Sequence, residues 1–246
     1  MPLPRLYGDL AWVWPFLSPP DEYGEEAETF VARFRAHGVA DGGSLLHLGS
    51  GGGSIDWHLK RRYRVTGLDL SPDMIAHARS VNPEVEYLQG DMRQARLGRR
   101  FDAALLHDAM AYLTSPADLH ATCETAAAHL GPGGVLVVMP EELRSRFRQY
   151  QGAITTREQG ERSVTTIQVD FDPHPDDDWF EETFVFLIRE AGGQRVEVDT
   201  HRVGLFNLTD VVAALETAGF TPSVSRWELS DLPEDRDYPL ITALKR

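Results

Sequence analysis

Apolar residues in the first 140 positions follow two spacings, one typical of strands and the other typical of helices. Short apolar runs lie at 45–48, 63–69, 85–88, 101–106 and 135–138. In the segments before and between these runs, apolar residues recur three and four positions apart, as they do from Ala27 to Phe34. Strands that alternate with helices in this way predict a parallel sheet with right-handed crossovers and helices on both faces.

Serine followed by proline marks the start of two of these helices, at Ser71-Pro72 and Ser115-Pro116. Serine is a favoured N-cap residue, and proline fits the first helical position because its missing N–H has no helical partner there. We therefore expect one helix to begin at each pair.

The rhythm changes between about 141 and 205, where three strand-like runs follow one another without helices. These runs cover 166–171, 179–189 and 195–203, with a hairpin turn at Gly192-Gly193. A helix pattern returns at 208–215, and two closing strands are expected near 223–227 and 240–244.

The predicted fold class is α/β, with a doubly wound, mostly parallel sheet of seven strands. Residues 1–38 are expected to form an N-terminal helical lid, and residues 39–140 with 206–246 the sheet domain. Residues 141–205 are expected to form an antiparallel β insertion after the fifth strand. Whether this insertion covers a pocket or makes a homodimer contact stays open.

The 246-residue chain carries 38 acidic and 24 basic side chains, so its formal net charge is −14. This sign repels nucleic-acid backbones and anionic lipid headgroups. The longest apolar run near the amino terminus, Leu10–Leu17, is too short to span a bilayer and contains Pro15. Cys123 is the only cysteine, so no internal disulfide can form. We expect a cytoplasmic protein with no nucleic-acid or membrane partner.

A glycine-rich turn, Gly49–Gly53, follows the first predicted strand and includes Ser50. At the carboxyl edge of such a sheet, glycine lets a ligand approach the backbone. An acidic residue that ends the second strand, here Asp69, is placed to accept from both hydroxyls of a ribose. Ser54 stands where the dinucleotide fingerprint has its third glycine, which weighs against a pyrophosphate ligand.

A second acidic residue, Asp91, comes directly after the third predicted strand, and Met92 follows it. The Asp91 carboxylate is placed to accept from an adenine amino group, and Met92 is placed to pack on the ring. A dinucleotide fold does not require an acid at this point, so the pair favours a different adenosine-containing cofactor.

The order and spacing of five stretches resemble those of class I S-adenosylmethionine (SAM)-dependent methyltransferases over residues 40–140. These stretches are Leu45–Gly53, Val65–Ser71, Gln89–Met92, Phe101–Ala103 and His129–Gly134. Residues 21–27, 90–93, 97–101, 201–206 and 218–220 resemble the small-molecule branch that includes the TDP-amino-sugar N-methyltransferases. The resemblance implies a Rossmann-like methyltransferase sheet and SAM as cofactor. It also implies methyl transfer to a nitrogen or oxygen of a small-molecule acceptor.

The resemblance also assigns cofactor contacts residue by residue. It implies backbone contacts to the methionyl part from Gly49 and Gly51, a ribose contact from Asp69, adenine contacts from Leu70, Met74 and Asp91, and a lid contact from Tyr23.

Two departures from the family pattern affect this assignment. His47 stands two residues before the first glycine, where the family usually has an acid that helps to hold the cofactor's ammonium group. Residues 107–112 are about one residue shorter than in the amino-sugar enzymes and do not match their acceptor-binding sequence. The identity of the acceptor therefore stays open, as does the contact to the amine.

Catalytic candidates lie at the carboxyl end of the fourth predicted strand. His107 and Asp108 are placed to remove a proton from the acceptor, and Tyr112 to assist by hydrogen bonding. Each has a structural alternative: His107 as a hydrogen-bonded histidine under the cofactor, and Asp108 as the cap of the following helix. His201 is either part of a roof over the acceptor or a structural histidine.

Other features are given a structural interpretation. Tyr7, Trp12 and Trp14 either line the acceptor site or pack the lid on the domain. The acidic stretch 170–178 is expected to be a solvated loop with no metal, and the arginines between 93 and 100 are expected to lie on the surface. Two other functions stay open: a catalytically silent SAM-binding module, and a nicotinamide-dependent oxidoreductase.

Overall fold

The computed structural model describes residues 3–227, 230 and 238–246. The strands are β1 (Ser44–Leu48), β2 (Arg64–Asp69), β3 (Glu86–Gln89), β4 (Phe101–His107), β5 (Leu130–Met139), β6 (Gly152–Gln159), β7 (Arg162–Phe171), β8 (Trp179–Glu190), β9 (Gly193–Gly204), β10 (Phe220–Arg226) and β11 (Pro239–Lys245). The helices are α1 (Trp14–Leu17), α2 (Gly24–Ala36), α3 (Asp56–Leu59), α4 (Pro72–Val81), α5 (Pro116–Ala128) and α6 (Leu208–Thr217). Short 3-10 turns cover Arg5–Tyr7, Ala11–Val13, Pro20–Tyr23 and Ala109–Tyr112.

A seven-stranded sheet has the order β10-β11-β5-β4-β1-β2-β3. Strands β1 to β5 pair in parallel, and β11 runs antiparallel to both β5 and β10. The predicted mostly parallel sheet of seven strands is confirmed. The chain order reverses between β1 and β4, and ligands of open α/β sheets bind beyond the carboxyl ends of the strands at such a switch point.

The central strands are apolar on both faces because helices cover both. Val135 and Val137 of β5 pack into the same core as Phe30 of α2, whereas Leu136 and Val138 face the core that contains Cys123 of α5. Continuous apolar runs of this kind are expected for a parallel sheet covered on both faces.

Both predicted helix starts are observed. The Ser71 hydroxyl accepts from the Met74 N–H at 3.0 Å, and the Ser115 hydroxyl accepts from the Asp118 N–H at 3.2 Å. Proline occupies the first position of α4 and α5. Each cap contributes about 1 kcal/mol to helix stability, so α4 begins at a fixed point beside β2.

The second sheet is antiparallel, with the order β6-β7-β8-β9. Three strands were predicted here and four are present: β6 was missed because its side chains are almost all exposed and show no apolar alternation. Apolar residues of the amino-terminal segment, such as Leu6, Val13 and Phe16, pack against Val164 and Phe186 of this sheet. The segment therefore lies between the second sheet and the core.

None of the helices within the described residues is long and apolar enough to cross a membrane.

Candidate active site

A cavity of about 640 Å³ opens at the carboxyl ends of β1, β2 and β4, beneath the amino-terminal segment. Its volume lies in the range typical of small-molecule sites. Among the predicted site residues, its wall contains Tyr23, His47, Gly49, Ser50, Gly51, Asp69, Leu70, Asp91, Met92, His107, Asp108 and Tyr112. The fold therefore brings predicted residues from five separate segments of the chain to one place.

The glycine turn after β1 leaves backbone exposed to the cavity because no side chain fits there. Gly49 has a φ of +70°, and a Cβ on it would lie 2.1 Å from the Cβ of Ala109. A Cβ on Gly52 would lie 2.4 Å from the Trp14 ring. The N–H groups of Gly49 and Ser50 donate to the Leu68 carbonyl at 2.8 and 3.0 Å, which ties the turn to β2.

Asp69 lies at the end of β2 and is held by backbone donors. The N–H groups of Gly51 and Ser71 each donate to one of its carboxylate oxygens at 2.8 Å. Burial raises the pKa of Asp69, and these two donors partly oppose that shift. Each carboxylate oxygen has a further lone pair, so the group retains capacity to accept from ligand hydroxyls.

Asp91 forms an ion pair with Arg93 at 2.6 Å, and Arg93 also pairs with Asp118 at 2.9 Å. The guanidinium keeps the pKa of Asp91 below its ordinary value. Arg93 is partly exposed, as expected for a surface residue, and also lines the cavity. Leu70, 44% exposed, presents an apolar surface on the same wall.

Met74 was expected beside the adenine but does not line the cavity. Its side chain is fully buried behind the glycine turn, and its Cε lies 3.9 Å from the position of a Cβ on Gly51. It supports the turn from below.

His47 is buried and paired with an acid that the sequence analysis missed. Its Nδ1 lies 2.7 Å from Oδ1 of Asp56, a fully buried residue at the start of α3. The other Asp56 oxygen accepts from the Tyr87 hydroxyl at 3.0 Å. Nε2 of His47 is buried without a hydrogen-bond partner.

His107 ends β4 among carboxylates. Its Nε2 lies 2.9 Å from Oε2 of Glu26 and 3.4 Å from Oδ1 of Asp108, although the angles are not those of a hydrogen bond. Burial lowers the pKa of His107, but the negative charges of Asp108 and Glu26 outweigh this effect and raise it. Glu26 reaches the site from the first turn of α2 and was not predicted.

Asp108 has a φ of +56°, a strained conformation for a residue with a side chain. Its carboxylate makes no capping hydrogen bond, so the alternative of a helix cap was wrong. The Asp108 side chain is 44% accessible and lies on the cavity wall. Removal of its carboxyl group from bulk water and the charge of Glu26 raise the pKa of Asp108, while His107 opposes both effects.

Tyr112 belongs to a chain of hydrogen bonds that joins three parts of the molecule. Its hydroxyl contacts the Tyr7 hydroxyl and lies 2.9 Å from Nδ1 of His201, whose Nε2 lies 2.8 Å from Asp199. Asp199 also accepts from the backbone N–H of Leu6 at 2.7 Å. His201 is fully buried and does not line the cavity, so its contacts are structural.

A family model described as "Methyltransferase domain" matches residues 45–134. A dTDP-3-amino-3,4,6-trideoxy-α-D-glucopyranose N,N-dimethyltransferase of Streptomyces venezuelae is 31% identical over 83% of this chain and 86% of its own. A dTDP-3-amino-3,6-dideoxy-α-D-glucopyranose N,N-dimethyltransferase of Streptomyces fradiae is 33% identical over 81% of this chain and 78% of its own. The chain belongs to the class I SAM-dependent methyltransferases, in the branch of these amino-sugar enzymes.

The structural comparison agrees with the assignment. The SAM-bound amino pentose methyltransferase CalS10 of Micromonospora echinaspora superposes with a TM-score of 0.79 at 27% identity, over 91% of this chain and 92% of that one. This chain is therefore a methyltransferase that uses SAM and transfers a methyl group to a nitrogen or oxygen of a small molecule. The alternatives of a silent binding module and a nicotinamide-dependent oxidoreductase find no support among these relatives.

The cavity of this methyltransferase fits SAM. The bare glycine turn admits the methionyl chain, Asp69 has free lone pairs for ribose hydroxyls, and Leu70 offers an apolar surface for the adenine. Two buried polar atoms on the wall, His47 Nε2 and Ser50 Oγ, have no hydrogen-bond partner. Such atoms mark places where a polar ligand is expected to bind.

The remaining sequence features lie outside this wall or have structural partners. Trp12 packs with the lid, whereas Tyr7 and Trp14 do line the cavity. In the acidic stretch, residues 174–176 are exposed, as expected for a solvated loop, whereas Asp170 and Asp172 are buried. Within the described part of the chain, no three His, Cys, Asp or Glu side chains are arranged to hold a metal ion.

Proposed function

We propose that this methyltransferase acts on the amino group of a dTDP-linked amino sugar. The substrates named for the Streptomyces relatives support this acceptor class. The proposal rests on one observation of the site: Asp108 lines the same cavity as Tyr112, and Glu141 and Glu182 lie close enough to act electrostatically on Tyr112. A protonated amine favours the ionised form of such carboxyl groups and is attracted by it, whereas an acidic acceptor is repelled.

The pKa values of three carboxyl groups, Asp108, Glu141 and Glu182, are raised, so each keeps its proton to higher pH than an ordinary carboxyl group. Asp108 lines the cavity. Removal of the Glu141 carboxyl group from water raises its pKa, and the charges of Asp108 and Glu182 raise it further. Burial raises the pKa of Glu182 to about 8, with smaller contributions from Asp170 and other acids. These shifts reflect burial and mutual repulsion, which His107 opposes at Asp108, and a bound ammonium group would favour the ionised carboxylates.

The acceptor nitrogen must lose a proton before it can attack, so the site needs a group that removes it. SAM supplies an activated methyl group on its sulfonium sulfur. We propose that the His107–Asp108 pair takes the proton and that the Tyr112 hydroxyl orients the nitrogen. Since the charges of Asp108 and Glu26 keep His107 protonated to higher pH, turnover should rise with pH through a value above the ordinary pKa of histidine.

Methyl transfer from isotopically labelled SAM tests the acceptor class. The acceptors are a dTDP-amino sugar, the same sugar with a hydroxyl in place of the amine, and the amino sugar without its nucleotide. We expect labelled product from the first and none from the second. Equal labelling of the hydroxyl sugar, or no labelling of any amine, would reject the proposal.

Asp108→Asn provides a matched variant that removes charge with little change in size. We expect it to lower kcat/KM for the amine while the affinity for S-adenosylhomocysteine (SAH) stays close to that of the wild type. An unchanged kcat/KM would remove Asp108 from the acceptor site.

We also propose a homodimer formed through the outer face of the second sheet, within the 141–205 insertion. Strand pairing places Ile154, Ile167, Val185 and Val198 in one row across its four strands, and Ile154 and Val198 are 72% and 50% exposed. An exposed apolar row of this kind favours association. Sedimentation of the wild type and of Val198→Glu tests it: a dimer that becomes a monomer supports the interface, and a wild-type monomer rejects it.

Finally, we propose that the enzyme works in the cytoplasm without a nucleic-acid or membrane partner. The net charge of −14 and the single buried cysteine support this location. Fractionation of the producing cells tests it, and recovery with membranes or nucleic acid would contradict it.

A further inference from the structure

His47 is held from one side only. Its Nδ1 lies 2.7 Å from Asp56, and both side chains are almost completely buried. Asp56 is fixed in turn by the Tyr87 hydroxyl at 3.0 Å, and that hydroxyl accepts from the Asn82 amide at 2.9 Å. His47 lines the cavity, and its Nε2, on the other side of the ring from Asp56, is buried without a hydrogen-bond partner.

This arrangement selects one tautomer of the imidazole. A carboxylate only accepts hydrogen bonds, so the proton of neutral His47 belongs on Nδ1, where it donates to Asp56. The lone pair is then on Nε2, the buried and unpartnered nitrogen of a residue that lines the cavity. A buried acceptor without a donor is costly, so its position on the wall indicates a ligand that donates.

We infer that Nε2 of His47 accepts a hydrogen bond from the α-ammonium group of SAM. The inference rests on the assignment of SAM as cofactor. His47 stands two residues before the glycine turn, where related enzymes usually carry an acid for this ammonium group. Here the negative charge lies on Asp56, behind the His47 ring, and the neutral Nε2 of His47 makes the contact.

A competing acceptor for the ammonium group is close by. The rings of His47 and His107 lie 6.5 Å apart, and His107 is surrounded by Glu26 and Asp108. However, the pKa of His107 is raised by those charges, which favours a protonated ring with no lone pair to offer. Of the two histidines, His47 is therefore the better acceptor.

Two ligands and two variants separate these possibilities by calorimetry. The ligands are SAH and its analogue without the α-amino group. His47→Asn keeps a donor at the position of Nδ1 for Asp56 but deletes Nε2, whereas His47→Gln keeps an acceptor oxygen near the position of Nε2. For wild type we expect SAH to bind about 10- to 100-fold more tightly than the analogue, as for one hydrogen bond to a charged group.

His47→Asn should remove this preference for the amine, and His47→Gln should keep most of it. Binding of the analogue should change little in either variant. If the preference survives in His47→Asn and is lost in His107→Gln, the ammonium group binds at His107 and the inference is wrong. If wild type binds neither ligand, the cofactor assignment itself fails, which distinguishes the two failures.

A measurement on the unaltered protein keeps the inference testable if the variants do not fold. In the ¹⁵N spectrum of histidine-labelled enzyme, Nε2 of His47 should be unprotonated in the free protein. It should shift on titration with SAH and much less with the amine-free analogue. A protonated Nε2 in the free protein, or equal shifts with both ligands, would overturn the inference.

Discussion

Replacing Gly49 by alanine tests how the floor of the site is closed. Gly49 has a φ of +70°, and its added Cβ would lie 2.1 Å from the Cβ of Ala109 but 3.5 Å from the Ala109 Cα. Ala109 begins the 3-10 turn after β4, so this contact joins the two strand ends at the switch point. The substitution therefore combines backbone strain with a steric clash.

The two costs are separable. A left-handed conformation costs an alanine about 1–2 kcal/mol, and an extra carbon in a packed region costs about 1–3 kcal/mol. Gly42→Ala is the matched control, because Gly42 has a φ of +83° with no atom within 4 Å of its added Cβ. It should show only the first cost. Gly49→Ala should lower the free energy of unfolding by about 2–5 kcal/mol.

Urea denaturation of both variants and calorimetry with SAH provide the assay. Ala109→Gly removes the clashing carbon, so the double variant Gly49→Ala, Ala109→Gly should recover the steric part of the loss. The SAH affinity should fall in Gly49→Ala and not in Gly42→Ala. If Gly49→Ala costs no more stability than Gly42→Ala, the close approach of the two turns does not contribute and the reasoning is refuted.

Four further outcomes follow from the site and its charges. Asp69→Asn should weaken SAH binding by about 1.5–3 kcal/mol; unchanged calorimetry would remove Asp69 from the ribose contact. His107→Gln should lower turnover with SAH affinity retained, and loss of SAH binding would make His107 a structural residue. Burial raises the pKa of Glu182 to about 8, well above about 4.3 in the unfolded chain. The contribution of Glu182 to the stability of the fold is therefore fully present below about pH 4.3 and is lost as pH rises through about 8. Urea denaturation should show that Glu182→Gln stabilises the fold more at about pH 8 than at about pH 5, and an equal effect at both would contradict the shift. Burial raises the pKa of Cys123 to about 12, so a thiol reagent should label the folded enzyme far more slowly than the unfolded one.

The sheet was predictable wherever burial on both faces left a continuous apolar run. β1 and β5 show such runs because helices cover both of their faces. β6 does not, since it is an edge strand whose side chains are exposed. Its pairing with β7 is made by backbone groups, which leave no trace in the pattern of side chains. An edge strand of this kind is recognised only once its partner is in place.

Site residues were predictable at strand ends, because the carboxyl ends of parallel strands meet at one edge. Asp69, Asp91 and His107 all reach the cavity for this reason. Glu26 and Asp56 were not found, since each lies in the first turn of a helix, where an acidic residue is ordinary. Their partners become evident only when the helices are packed against the sheet.

Met74 and Arg93 show a different limit. Both follow strand ends closely in sequence, but their side chains are directed by contacts that spacing does not specify. The Met74 N–H is fixed by the Ser71 cap, and its side chain packs below the glycine turn. Arg93 is drawn onto the cavity wall by Asp91 and by Asp118, which lies 25 residues further along the chain.

Under the proposed function, the two histidines on the cavity wall would meet opposite requirements of amine methylation. The cofactor's ammonium group must keep its protons to be bound, whereas the acceptor's ammonium group must lose one to react. In the inferred tautomer, the proton of His47 lies on Nδ1 beside Asp56 and a lone pair is left on Nε2. Glu26 and Asp108 face Nε2 of His107 and stabilise a proton there. The two rings are 6.5 Å apart. The acid lies beside Nδ1 in His47 but beside Nε2 in His107, and this difference provides a way for one site to treat two amines differently.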